Sequence, residues 1–188
     1  YVRAMEKLAD QYAFVDYVPV HAPLPLAGSL GLVGGQHQRL AAVQALVWQI
    51  VAHHSPSDVR IVGFWSERES EAWRWLSYLP HVQSLQGEDR YRLLAHWEDQ
   101  SHEDKARREY FAEVAAELQR ELQQRAQQKA EGRFHLPYLV VIATEYDDYG
   151  ETLAPLQTIL RSGQALGASA LCLVNRVADV PSECGGYI

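Results

Sequence analysis

The chain has 188 residues, 47% of them apolar, and carries a formal charge of −7 from 17 basic and 24 acidic side chains. That length can bury a sizeable core in one domain, and the acidic balance argues against a surface built to follow a nucleic-acid backbone. No apolar run reaches the roughly 20 residues of a membrane span, no signal-peptide pattern is present, and the two cysteines, Cys172 and Cys184, suggest neither a disulfide framework nor a zinc site.

The sequence starts at Tyr1 rather than Met and stops at Ile188 in a strand-like run, so it reads as a piece of a longer polypeptide. Any membrane anchor is expected outside it, and a reducing cytoplasm is its simplest home. Residues 2–13 have helical spacing, and 17–20 read as a short edge strand because Pro19 cannot donate to a ladder. Pro23 and Pro25 make 21–27 an extended connector. Next comes an apolar run, Leu30 to Val33, that ends in Gly34-Gly35, after which Leu40, Val43, Val47, Ile50 and Val51 recur at the spacing of one helix face. The pattern is strand, glycine turn, helix.

His53-His54-Ser55-Pro56 stops that helix, and 59–65 reads as a second strand. Strands and helices alternating through short loops predict parallel βαβ units. A helix over 69–79 would carry Trp73, Leu76 and Leu79, with Pro80 ending it ahead of a short strand. Trp73 and Trp75 would then point to nearly opposite sides, so one of them is a candidate contact with another domain.

The polar region 88–131 reads as a helical insertion with two helices, 89–99 and 103–130, divided by a Ser101-x-x-Asp104 cap. Phe111, Val114, Ala115, Leu118 and Leu122 give the second helix an apolar stripe, and its Gln- and Lys-rich far end is expected to project into water. The run 136–144 is apolar without alternation, as a strand covered on both faces should be. A helix over 152–162, a turn at Gly167, a buried strand over 168–174 and a loop entering a final strand over 181–188 complete the chain.

Ligands of open α/β sheets sit at the carboxyl ends of strands, which directs attention to Gly34-Gly35 and Thr144-Glu145. A glycine turn opening a helix is the scaffold of a phosphate loop, because backbone N–H groups and the helix N-terminus face the anion. With Gly34 as the first glycine of G-x-x-x-x-G-K-[ST], however, Arg39, Leu40 and Ala41 stand where Gly, Lys and Ser/Thr are needed. At the second strand end Thr144 takes the place of the Mg²⁺-holding Asp, and Glu145 that of the water-activating Glu. Two readings follow. In one, Gly34, Gly35, Arg39 and Thr144 are degenerate nucleotide-site positions kept for shape, with no cofactor bound. In the other, Arg39 replaces the Lys and Glu145 still acts as base on ATP and Mg²⁺. No pattern for a protein-held metal site is present, since His53 and His54 face apart on a helix.

Val18-Pro19, Gly31 to Gly34, His54 to Asp58, Trp73-x-Trp75-x-x-x-Leu79-Pro80-His81, the strand before Glu145, Gly163 with Gly167, and Pro181-x-x-Cys184 occur in the order and spacing of one family. With these residues the chain resembles the membrane-bound FtsK/SpoIIIE-type ATPases of type VII secretion, the EccC/EssC family, in the cytosolic domain before the first recognised ATPase module. The resemblance implies a RecA-like P-loop NTPase fold, a three-layer α/β sandwich with a mainly parallel sheet, repeated along one polypeptide. It also implies a bacterial location at the cytoplasmic face of the membrane, neighbouring ATPase modules and secretion subunits as partners, and an oligomeric parent. By this resemblance residues 1–188 form one degenerate pseudo-ATPase domain that couples the membrane part to the motor.

Overall fold

The computed structural model describes residues 23–84, 92–97, 105–131 and 137–188. Its strands are β1 (Leu30–Val33), β2 (Val59–Ser66), β3 (Leu94–Trp97), β4 (Tyr138–Ala143), β5 (Ala168–Val174) and β6 (Gly186–Tyr187). They form one sheet in the order β3-β2-β4-β5-β1-β6, with every neighbouring pair parallel. The helices are α1 (Leu24–Ala27), α2 (Gln36–His53), α3 (Ser70–Trp73), α4 (Lys105–Ala130), α5 (Tyr146–Tyr149) and α6 (Ala154–Leu166).

Successive side chains of a strand point to opposite faces, and here both faces are covered. Val62, Phe64, Leu139, Val141 and Ala170 join one core with α4 and α6. Ile61, Trp65, Val140, Ile142 and Leu171 join the other with α2 and the helical stretch that follows β2. All seven residues of β5 are buried. This explains why β4 and β5 carry no polar alternation, and the three-layer RecA-like reading holds.

Four local expectations need correction. Residues 94–97, placed in a predicted helix over 89–99, form β3, which runs parallel to β2 from Gly63↔Leu94 to Ser66↔Trp97. Pairing and burial of Leu94 and Ala95 outweigh the helix propensity of this Arg-, Leu- and Ala-containing stretch. The expected helix over 69–79 is a chain of short turns instead: a 3₁₀ turn Glu67–Glu69, then α3, then a 3₁₀ turn Arg74–Tyr78. Three residues per turn places Trp73 and Leu76 on one side, and both are buried.

The far end of α4 does not simply project into water. Arg125 is buried there and donates to the carbonyls of Leu166, Gly167 and Pro137, while its Nε pairs with Glu121. The connector 21–27 holds the one-turn helix α1 with Pro25 in its first turn. The expected helix 152–162 runs as α6 and ends at Gly167, whose φ of 65° suits a left-handed cap. The predicted helix 2–13, strand 17–20, the cap at Ser101 and positions 89–91, 98 and 99 of the predicted helix lie outside the described residues, while Arg92 bridges Gln83 rather than joining a helix.

Candidate functional site

Only Gly34 and Gly35 separate the end of β1 from the first residue of α2. Gly34 has φ +146°, a conformation an L side chain rarely adopts, so glycine is required for the turn. The Gly35 N–H donates to Gln38 Oε1 at 3.1 Å, and the Gly34 N–H points at the Val174 carbonyl at 3.4 Å. Both donors of the turn are thus engaged by the protein's own acceptors. A phosphate cradle needs such N–H groups free and a loop long enough to wrap the anion.

Arg39 does not face the mouth of this turn. It is buried on the inner side of α2, and its Nε and Nη1 have no hydrogen-bond partner among the described residues. It lines a small crevice of about 10 Å³ with Gln36, Leu40, Glu69, Ala72, Trp73 and Leu173. Glu69 is equally buried and accepts from Gln36 Nε2 at 3.3 Å and Trp73 Nε1 at 3.1 Å. A space of this size admits at most a single water. Sequence reasoning missed Glu69 and Gln36. The strand-end rule that selected Thr144 would have found Glu69 just past β2, had it been applied to every strand of the sheet.

Thr144 follows β4 directly, is 1% exposed, and donates its N–H to the Phe64 carbonyl at 3.0 Å. Glu145 sits half-buried with φ 49° and ψ 47°, the only non-glycine in a left-handed conformation among the described residues. Burial pushes its carboxyl above the ordinary range, the Ser66 hydroxyl partly offsets this, and the charges of Glu69 and Asp148 add to the rise. Glu145 and Glu69 therefore share one acidic neighbourhood at the carboxyl edge of β2 and β4. The glycine turn lies two strands away from β4, beyond β5.

The remaining candidates have structural roles. The His54 carbonyl is bonded to His81 Nε2 at 2.9 Å. Trp73 is buried and stacks on Trp65 at 6.0 Å, whereas Trp75 is half-buried and stacks on the exposed Trp48 at 5.8 Å. Among the described residues no three potential metal ligands converge.

No family model matches the chain. Over 78 residues, 40% of its length, it is 39% identical to the ESX secretion system protein EccC of Geobacillus thermodenitrificans. Over 72 residues it is 31% identical to the ESX-4 secretion system protein EccC4 of Mycobacterium tuberculosis. The chain is related to the EccC/EssC secretion proteins. It spans 5% and 6% of the length of these two curated relatives.

Solved EccC/EssC structures share its fold. The cytoplasmic domain of EssC superposes with a TM-score of 0.62 at 19% identity, covering 87% of this chain and 33% of that one. Thermomonospora curvata EccC, comprising ATPases 2 and 3 in complex with a signal sequence peptide, gives 0.57 at 15% identity over 89% of this chain and 31% of that one. At such identity the likeness concerns the EccC/EssC ATPase fold and not the chemistry at its strand ends. No helix among the described residues is long and apolar enough to cross a membrane.

Proposed function

We propose that this chain is a non-catalytic, ATPase-like module of a type VII secretion motor, placed at the cytoplasmic face of a bacterial membrane. It would couple the membrane part of a longer polypeptide to neighbouring ATPase modules through domain and subunit contacts, and it would bind no nucleic acid. The observation that carries this reading is the two-residue Gly34-Gly35 turn, whose N–H groups are engaged by Gln38 and Val174. Burial of Arg39 and of Thr144 supports it, because neither side chain is positioned as a P-loop lysine or a Mg²⁺-holding acid would be. The residues present do not fit Mg²⁺·ATP. The relation to EccC/EssC proteins supports the motor context and the presence of further modules.

Isothermal titration of the chain with ATP and Mg²⁺, alongside phosphate-release assays, tests the proposal. The expected result is no binding heat and no release above that of an Arg39→Ala, Glu145→Gln double variant. Saturable binding, or release that this variant abolishes, would overturn it.

One observation favours a second reading, a weak ATP-hydrolysing module. Glu145 combines a strained backbone with a raised carboxyl pKa at a strand end, a pairing common at catalytic sites. In that reading Glu145 is the base, and Glu145→Gln alone abolishes release.

A further inference from the structure

The segments that follow β4 and β5 frame a groove beside α6. Its wider part, a cleft of about 740 Å³, is lined by Asp147 and Glu151 from the first segment and by Asp179 and Glu183 from the second. A cleft of about 540 Å³ continues along α6 toward Ala27 and Gly185. The two meet at Arg161 and Glu183, which line both. No residue of the Gly34-Gly35 turn or of the Arg39 crevice takes part, and Glu145 lines neither cleft. The groove follows from how its sides are anchored. α6 gives Leu156, Ile159 and Leu160 to the core, which leaves Arg161, Ser162 and Gln164 exposed. On the other side Val180 and Cys184 pack on the core, the Gly185 N–H donates to the Ser29 carbonyl at 2.8 Å, and Asn175 Nδ2 donates to Asp147 Oδ2 at 3.4 Å.

Charge decides what fits. Arg161 is the only basic side chain lining either cleft, against four carboxylates. Of these, Asp179 is neutralised by Arg176, whose Nε and Nη2 donate to it at 2.8 Å. Asp147, Glu151 and Glu183 have no base within ion-pair distance among the described residues. We propose that this groove docks an extended, basic segment of a partner polypeptide, whose Lys or Arg side chains meet Asp147, Glu151 and Glu183.

Length favours a segment over a single small cation. From Gln157 to Ala165 the groove follows α6 for about 12 Å, room for roughly four residues of extended chain. Successive side chains of such a chain point to alternate sides, so acids supplied by two separate segments each receive one. Exposed ion pairs are individually weak and screened by salt, so the docking is of modest affinity and salt-sensitive. It needs nothing from the glycine turn, and therefore stands or falls separately from the absence of nucleotide there.

The test is fluorescence anisotropy of a tetramethylrhodamine-labelled hexalysine peptide titrated with the 188-residue chain, followed by amide chemical-shift mapping. Saturable binding is expected, weakening roughly fivefold or more as NaCl rises from about 50 to about 300 mM. Hexaglutamine with the same label should not bind. Glu151→Lys and Glu183→Lys change exposed side chains, and each variant is checked for a native circular dichroism spectrum. Each should weaken binding about fivefold, and the pair by about twentyfold or more. Glu113→Lys, on the exposed side of α4, alters the net charge equally and should stay within about twofold of wild type. Shifts should concentrate at residues 147–151, 157–165 and 178–185. An absence of saturable binding, an equal loss in Glu113→Lys, shifts centred elsewhere, or hexaglutamine binding as tightly would each overturn the proposal. So would lysine amide binding as tightly as hexalysine, since the groove would then take single cations and not a segment.

Discussion

Arg125 donates from Nη1 to the carbonyl of Leu166 at 3.0 Å, joining two helices 41 residues apart in sequence. The same guanidinium reaches the Gly167 and Pro137 carbonyls and pairs through Nε with Glu121 at 2.8 Å. It holds together the C-terminal part of α4, the end of α6 and the entry to β4. Replacing it with Met removes every one of these donors: the buried Leu166 carbonyl and the half-buried Pro137 carbonyl lose this partner, while the Gly167 carbonyl keeps the Leu139 N–H. Arg125→Met is expected to lower stability by about 3 kcal/mol or more in urea unfolding. Arg125→Lys cannot reproduce the planar fork and should recover less than half of the loss. A wild-type midpoint for Arg125→Met would show that the helix is held by its apolar stripe alone.

The glycine turn makes a second prediction. Gly34→Ala forces a Cβ into φ +146° and within 3.1 Å of Gln38 Oε1, so a loss of about 1–3 kcal/mol is expected. Gln38→Leu removes the acceptor of the Gly35 N–H, an exposed contact worth roughly 0.5–1 kcal/mol. The two positions touch, so the double variant should lose less than the sum. Denaturant midpoints of the single and double variants decide this.

Glu145 governs a pH effect whose sign follows from burial. Its folded-state pKa is raised, so the folded protein binds the proton more tightly than the unfolded chain does. Stability is therefore highest when this carboxyl is protonated and declines as pH rises from the ordinary carboxylate range through the raised folded value. Glu145→Gln should be more stable than wild type at neutral pH and should lack that part of the decline. Glu145→Gly relieves the left-handed backbone as well and should gain about 1 kcal/mol at positions where glycine fits the native φ. Melting curves across the acidic to neutral range test both, and a wild-type slope in Glu145→Gln would refute the assignment.

Of the two stacked tryptophan pairs among the described residues, Trp65–Trp73 is core and Trp48–Trp75 is not. Trp73→Ala removes a buried ring and the indole donor to Glu69, at an expected cost of about 3–5 kcal/mol. Trp48→Ala removes a ring that is 56% exposed and should cost no more than about 1.5 kcal/mol. Equal losses would mean that Trp48 is covered in solution.

The strand, turn and helix around Gly34 were legible because a buried apolar run and a helical face are local signals, as was the strand over 168–174. β3 was not, since Leu94 and Ala95 become strand only through pairing with Gly63 and Phe64, a contact no local pattern records. The site was legible as positions but not as chemistry. Arg39 as a lysine substitute presumed a side chain facing outward, whereas its place on the inner face of α2 depends on Glu69 and Trp73, which arrive from another part of the chain. The anchoring of α4 by Arg125 was hidden for the same reason: a charged residue in a Gln-rich helix reads as solvated until its carbonyl partners are known.

The sheet order has a kinetic consequence. β1 is flanked by β5 and β6, and Ala170 donates its N–H to Ser29 Oγ across 141 residues. During synthesis β1 therefore emerges without either of its neighbours, while β2 must also wait for β4. Loop closures of this span slow folding and leave apolar strands open for longer. On the ribosome, Leu30 to Val33 would stay unpaired until nearly all of this sequence has left the exit tunnel, which makes this strand the segment most in need of chaperone cover.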